Sequence, residues 1–136
     1  MFITGDTRVF EAEEDIFKNA DVVISEAMSR PLQQERLEET KLTDKREYEF
    51  WKQITHYHSD TLELAEIAQE AQVKQLYLTH LAPSIGVSKA DKQAFIAGMD
   101  KYYSGPIIVA DDMDEIVISS DDNGACQVEY IPSSTG

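Results

Sequence analysis

Cysteine is nearly absent. Cys126 stands alone, which excludes an intramolecular disulfide and a cysteine-rich metal site, and the thiol is expected to be simply packed. Histidine is scarce as well, with only His56, His58 and His80. No apolar run approaches the ~18 residues of a membrane span, and no basic-then-apolar leader precedes residue 20. Membrane association is therefore not expected, and a cytoplasmic location is the default. Positive charge is short: 12 Lys and Arg stand against 26 Asp and Glu, a formal net charge of −14. That field repels phosphate backbones and argues against a broad nucleic-acid surface. It is compatible with cations, although the acidic clusters at residues 11–15 and 111–114 read first as solvated faces.

What is present suits one ordinary domain of 136 residues, 42% hydrophobic and 28% charged. Residues 13–19 suit a short acidic helix and Asp21–Ser25 a strand. Residues 30–43, with Pro31 at their head, read as a polar surface excursion. Tyr48, Trp51 and Ile54 at spacings of three predict a helix over 44–56. Asp60 followed by Glu63 matches a capping box ahead of the Leu64, Ile67, Ala68, Ala71 stripe, which predicts a helix over 60–72. A strand over 75–80 follows. Ser88 can cap a helix presenting Phe95, Ile96, Met99 and Tyr103. Strands are expected over 107–110, 115–119 and 126–131, the last two joined by an Asp-Asp-Asn-Gly turn, with a polar tail over 132–136. The apolar strands are continuous rather than alternating, as in Val22-Val23-Ile24 and Ile116-Val117-Ile118. Such runs predict sheets covered on both faces, yet the predicted helices suffice for one.

Chemistry concentrates at strand ends, where α/β folds place their sites. Asp6 follows the Phe2-Ile3-Thr4 strand, His58 precedes the capped helix, and His80 ends the 75–80 strand. One carboxylate with imidazoles is a ligand set for Zn²⁺, Fe or Mn²⁺. Each residue also has a plainer reading: Asp6 as a turn aspartate, His80 as an ordinary strand-end histidine, His58 as a surface residue.

The order of these segments is more specific. Ile3-Thr4-Gly5-Asp6-Thr7, Ala20-Asp21-Val22-Val23-Ile24-Ser25-Glu26-Ala27, His58-Ser59, Ala65-Glu66-Ile67-Ala68 and Leu78-Thr79-His80-Leu81-Ala82-Pro83 occur in turn. Together with Tyr103 to Ile116, they resemble the C-terminal half of the metallo-β-lactamase-fold hydrolases, especially the ribonuclease Z and arylsulfatase-like branches. The resemblance spans almost the whole chain and is loosest over 30–55. It implies an α/β fold that is half of an αββα sandwich, one mixed sheet with its helices, over residues 1–131. It also implies a zinc-dependent hydrolase of ester, phosphodiester or sulfate ester bonds, working through metal-activated water. Asp6 then resembles the carboxylate bridging two metals, and His80 the last histidine ligand on the second metal. His58 resembles the histidine that contacts the scissile group or protonates the leaving group. Glu26 resembles an acidic residue supporting that shell.

The departure from the family is large. Its His-x-His-x-Asp-His motif and third histidine are missing, and Ser59-Asp60 replaces the usual Ser-Thr after His58. Two ligands fall short of the three that a catalytic zinc normally takes from protein. The chain alone is thus expected to bind zinc weakly or not at all and to be inactive. The strand at Phe2 is expected to pair with a first half of the fold absent from this sequence. That half, or a second copy of the chain in a homo-oligomer, would cover the open apolar face. Net charge favours a small anionic ester over transfer RNA. The competing reading is a non-catalytic remnant or self-associating interaction module.

Overall fold

A computed structural model describes residues 1–9 and 14–133. Four strands, β1 (Phe2–Ile3), β2 (Val23–Met28), β3 (Leu76–Ala82) and β4 (Ile107–Val109), form one all-parallel sheet in the order β1-β2-β3-β4. Helices run between them: α1 (Glu14–Phe17), α2 (Arg30–Thr43), α3 (Lys45–Ile54), α4 (Thr61–Glu70) and α5 (Lys89–Phe95), followed by a 3₁₀ turn at Met99–Lys101. Strands β5 (Glu115–Ser120) and β6 (Cys126–Ile131) pair antiparallel with each other in a separate two-stranded sheet. The expected single mixed sheet is thus divided. Helical crossovers return β1–β4 in one direction, whereas the tight 121–125 turn makes a local hairpin.

The strand at Phe2 finds its partner inside the chain. Phe2 pairs with Val23 and Ile3 with Ile24, so one side of β1 is taken up by β2, while its other side is the edge of the sheet among the described residues. Register then assigns the two faces of the sheet. Val23, Leu76 and Ile107 share one row, Ser25, Leu78 and Val109 another, and these face the helices. Their core includes Leu64, Ala65, Ile67 and Ala68 of α4, with Phe17, Phe95, Met99 and Tyr103. The opposite face carries Ile24, Tyr77 and Ile108 in one row. Only Tyr77 is fully buried, with the Tyr130 ring of β6 5.8 Å away. Ile24 and Ile108 stay half-buried, and Val117, Ile118 and Ile131 of the hairpin are 40–42% exposed. Burial of every apolar strand on both faces is therefore not met within this chain. A hairpin of only two strands cannot cover both the sheet and itself.

Two further expectations change. Residues 30–43 are helix α2, not an excursion. Gln, Glu, Arg, Leu and Lys favour helix, Pro31 fits the first turn, and Gln33 is buried with its Nε2 donating to the Trp51 carbonyl of α3. Cys126 is exposed on β6, because the hairpin turns that residue outward instead of packing it. The start of the predicted acidic helix at Glu13, and residues 134–136 of the tail, lie outside the described residues.

The hairpin is tied down at one point. Asp114 accepts from the Ser133 N–H at 2.7 Å, the Asp111 N–H at 2.8 Å and the Tyr130 hydroxyl. Burial pushes the Asp114 carboxyl up, but these hydrogen bonds outweigh it and hold it at about 2. Among the described residues, no helix is long and apolar enough to cross a membrane.

Candidate metal centre

The C-terminal ends of β1, β2 and β3 lie side by side, and each delivers one polar group. After β1, Gly5 adopts φ +69°, a left-handed turn open to glycine at little cost, and the chain swings Asp6 across the sheet edge. In β2, Glu26 is fully buried. In β3 the ladder slips: Glu26 pairs with Thr79 but Ala27 pairs with Leu81, leaving His80 as the extra residue of a bulge at φ +45°. Left-handed backbone at a non-glycine residue costs free energy, and a bulge re-aims the side chain it carries. His80 is turned toward Asp6, its Nδ1 3.3 Å from Asp6 Oδ1.

His58 arrives from the other direction. The 58–60 segment runs along β2 where β1 has ended, with the Met28 N–H donating to the Ser59 carbonyl at 2.7 Å. This sets His58 Nδ1 3.6 Å from the same Asp6 oxygen, with the two imidazole centroids 5.7 Å apart. Asp6, His58 and His80 each offer a donor atom within 4.8 Å of the others. Asp6 and His80 are exposed, at 67% and 58%, while His58 is only 12% exposed.

Behind them sits Glu26. Its Oε2 is 2.9 Å from His58 Nδ1 and its Oε1 accepts the Ser59 N–H at 2.6 Å, so a carboxylate without water contact has a partner on each oxygen. With the proton on Nδ1, His58 donates it to Glu26 and leaves Nε2 free to exchange protons.

Sequence reasoning brought all four residues to one place but missed what fastens them. Ser59 is buried and bonded three ways: its N–H to Glu26, its carbonyl to Met28, and its Oγ accepting the Val9 N–H at 2.9 Å. The loop carrying Asp6 is thereby joined to the loop carrying His58. Asp60 caps α4 as expected, accepting from the Leu62 and Glu63 N–H groups. Glu63, however, does not complete a capping box. It accepts two hydrogen bonds from Arg8, at 3.0 and 3.2 Å, while Arg30 reaches Asp60 at 3.1 Å. The spacing of Asp60 and Glu63 could not reveal this, because Arg8 lies 55 positions away.

A carboxylate and two imidazoles are ligand types for a zinc- or manganese-like cation. Asp6 Oδ1 lies 3.3 Å from His80 Nδ1, close to the roughly 3–3.5 Å between ligands on one zinc, whereas the set of three with His58 spreads to as much as 4.8 Å. Asp6 and His80 fit such an ion as a pair and do not complete its shell.

Comparison with known proteins bears on the fold and the relatives of the chain. No protein-family model matches the sequence. The chain is 30% identical over 112 residues to ribonuclease Z of Myxococcus xanthus and 34% identical over 110 residues to ribonuclease Z of Archaeoglobus fulgidus. These stretches take in 82% and 81% of this chain but only 30% of either relative. Among solved structures, the metallo-β-lactamase-fold protein YhfI from Bacillus subtilis superposes with a TM-score of 0.53 at 22% identity, over 93% of this chain and 39% of that one. The chain thus has the metallo-β-lactamase fold and is similar in sequence to part of ribonuclease Z, spanning about 30% of the length of these curated relatives.

Proposed function

We propose that this chain contributes one side of a metal-dependent hydrolase centre that cleaves an ester, phosphodiester or sulfate ester bond. The observation that carries the reading is the meeting of Asp6 and His80 at 3.3 Å beside a Glu26–His58 pair. Asp6 and His80 would hold the metal. A bound zinc pair would supply the polarised water such a hydrolysis needs. Glu26 holds the His58 ring through Nδ1, which leaves Nε2 to pass a proton to the departing oxygen.

Two ligands, or three if His58 turned, do not complete a two-metal centre. In this reading the chain is inactive alone and works when the ligand-rich N-terminal half of the fold, or a second copy of the chain, lies against it. The half-buried Ile24 and Ile108 and the exposed Val117, Ile118 and Ile131 support such a covering partner. The same residues support the second reading, a non-catalytic module that self-associates. Net charge −14 favours a small ester over transfer RNA as the substrate.

The test is metal content beside kcat in an assembly of this chain with a His-x-His-x-Asp-His half. Asp6→Ala should abolish hydrolysis, and His80→Ala should lower metal and turnover together. His58→Ala should keep the metal and lose about 10²–10⁴-fold in kcat. Loss of metal in His58→Ala with retention in His80→Ala would mean their roles are exchanged. Unchanged turnover in both would end the hydrolase reading.

A further inference from the structure

A groove of about 700 Å³ opens directly from His80, a volume within the range that takes small organic ligands. Its floor is the end of β3 at Thr79–Leu81. One wall is the loop at 85–88, and the other is the end of β4 with the turn at 110–112. Leu81, Ile85, Val87 and Val109 give it an apolar strip, beside which Thr79, Ser84 and Ser88 are uncharged polar lining. Among its described lining residues Lys92 is the only Lys or Arg, and its Nζ is already held at 2.5 Å by Asp111. Asp112 leaves the groove with a net negative charge. A phosphate-rich ligand needs several free cationic donors, and freeing Lys92 would expose Asp111 to the incoming anion.

We infer that this groove seats an uncharged portion of the ligand, part apolar and part hydrogen-bonding, on the side of the reacting bond nearest His80. A polyanionic chain is refused there. The inference rests on the hydrolase reading, since it takes the bond to lie at Asp6, His58 and His80. It narrows that reading to compact esters whose non-reacting part carries no negative charge.

The experiment titrates the ¹⁵N-labelled chain with two probes of one shape, 1-naphthol and 1-naphthalenesulfonate, and with polyuridylate at low salt. Expected are shifts at the amides of Leu81, Ile85, Val87 and Ala110 with 1-naphthol, at a Kd at least fivefold below that of the sulfonate. Polyuridylate should move none of these amides. Val87→Glu, at a residue 76% exposed and so harmless to folding, should weaken 1-naphthol at least fivefold. Sulfonate binding as tight as naphthol, polyuridylate shifts in the groove, or no shift with naphthol would each overturn the inference. A separate Mn²⁺ titration keeps the two readings apart: broadening at Asp6 and His80 that persists in Asp6→Ala would sink the metal centre whatever the groove does.

Discussion

Glu26→Gln probes the centre most directly, because it alters charge and almost nothing else. In the native chain Oε1 takes the Ser59 N–H at 2.6 Å and Oε2 meets His58 Nδ1 at 2.9 Å, with no exposure to water. Glutamine keeps the carbonyl for Ser59 but turns an NH₂ toward Nδ1. A hydrogen bond to a charged group contributes about 1.5–3 kcal/mol and a neutral one about 0.5–1.5 kcal/mol. Converting both bonds should therefore cost roughly 2–3 kcal/mol, about 7–12 °C in Tm for a chain of this size. The ring should also change tautomer, since Nδ1 must now accept and Nε2 must carry the hydrogen. Calorimetry gives the first quantity. A long-range ¹H–¹⁵N correlation spectrum, taken at a pH where an ordinary imidazole is neutral, gives the second. A more stable variant would refute the reasoning, because it would mean the two donors fail to offset the desolvation of the carboxylate. An unchanged tautomer would refute the orienting role of Glu26.

Other outcomes follow from the same structure. Asp114 sits at about 2 when folded against an ordinary 3.8, so its stabilisation is present above the ordinary value and lost as pH falls between about 4 and 2. Because the side chain is partly solvated the effect should be about 1 kcal/mol, and acid unfolding of Asp114→Asn should lack that component; identical acid profiles would contradict the assignment. Zinc should bind the chain alone no tighter than micromolar by calorimetry, whereas stoichiometric zinc surviving dialysis would reveal further ligands. Sedimentation should show a dimer or larger species driven by the open sheet face and the hairpin, and a monomer at all concentrations would remove the case for a covering partner.

The helices and strands were largely legible because their signals are local. The α4 stripe needs only the 3.6-residue period, the Asp60 cap only three residues, and the β5–β6 turn only Asp121 to Gly124. Helix α2 was misread because its polar surface hid a buried Gln33 whose partner lies 18 positions on. The nearness of Asp6, His58 and His80 was legible through a family resemblance and not through spacing, since an isolated Asp6 or His80 carries no periodic signal.

The sequence by itself determined the alternation of strands and helices, the acidity, the shortage of ligands, and which residues stand at strand ends. Only the tertiary structure decided that β1 pairs with β2, that the hairpin forms its own sheet, and that Cys126 faces water. It alone placed His80 in a bulge that turns the ring onto Asp6, and set Ser59 as the knot between the two loops of the centre. The physical reason is range. Propensity, capping and periodicity act within a few residues, whereas register, the bulge and the burial of Glu26 depend on groups 20 to 55 positions apart meeting at one sheet edge, in contacts that no short window contains.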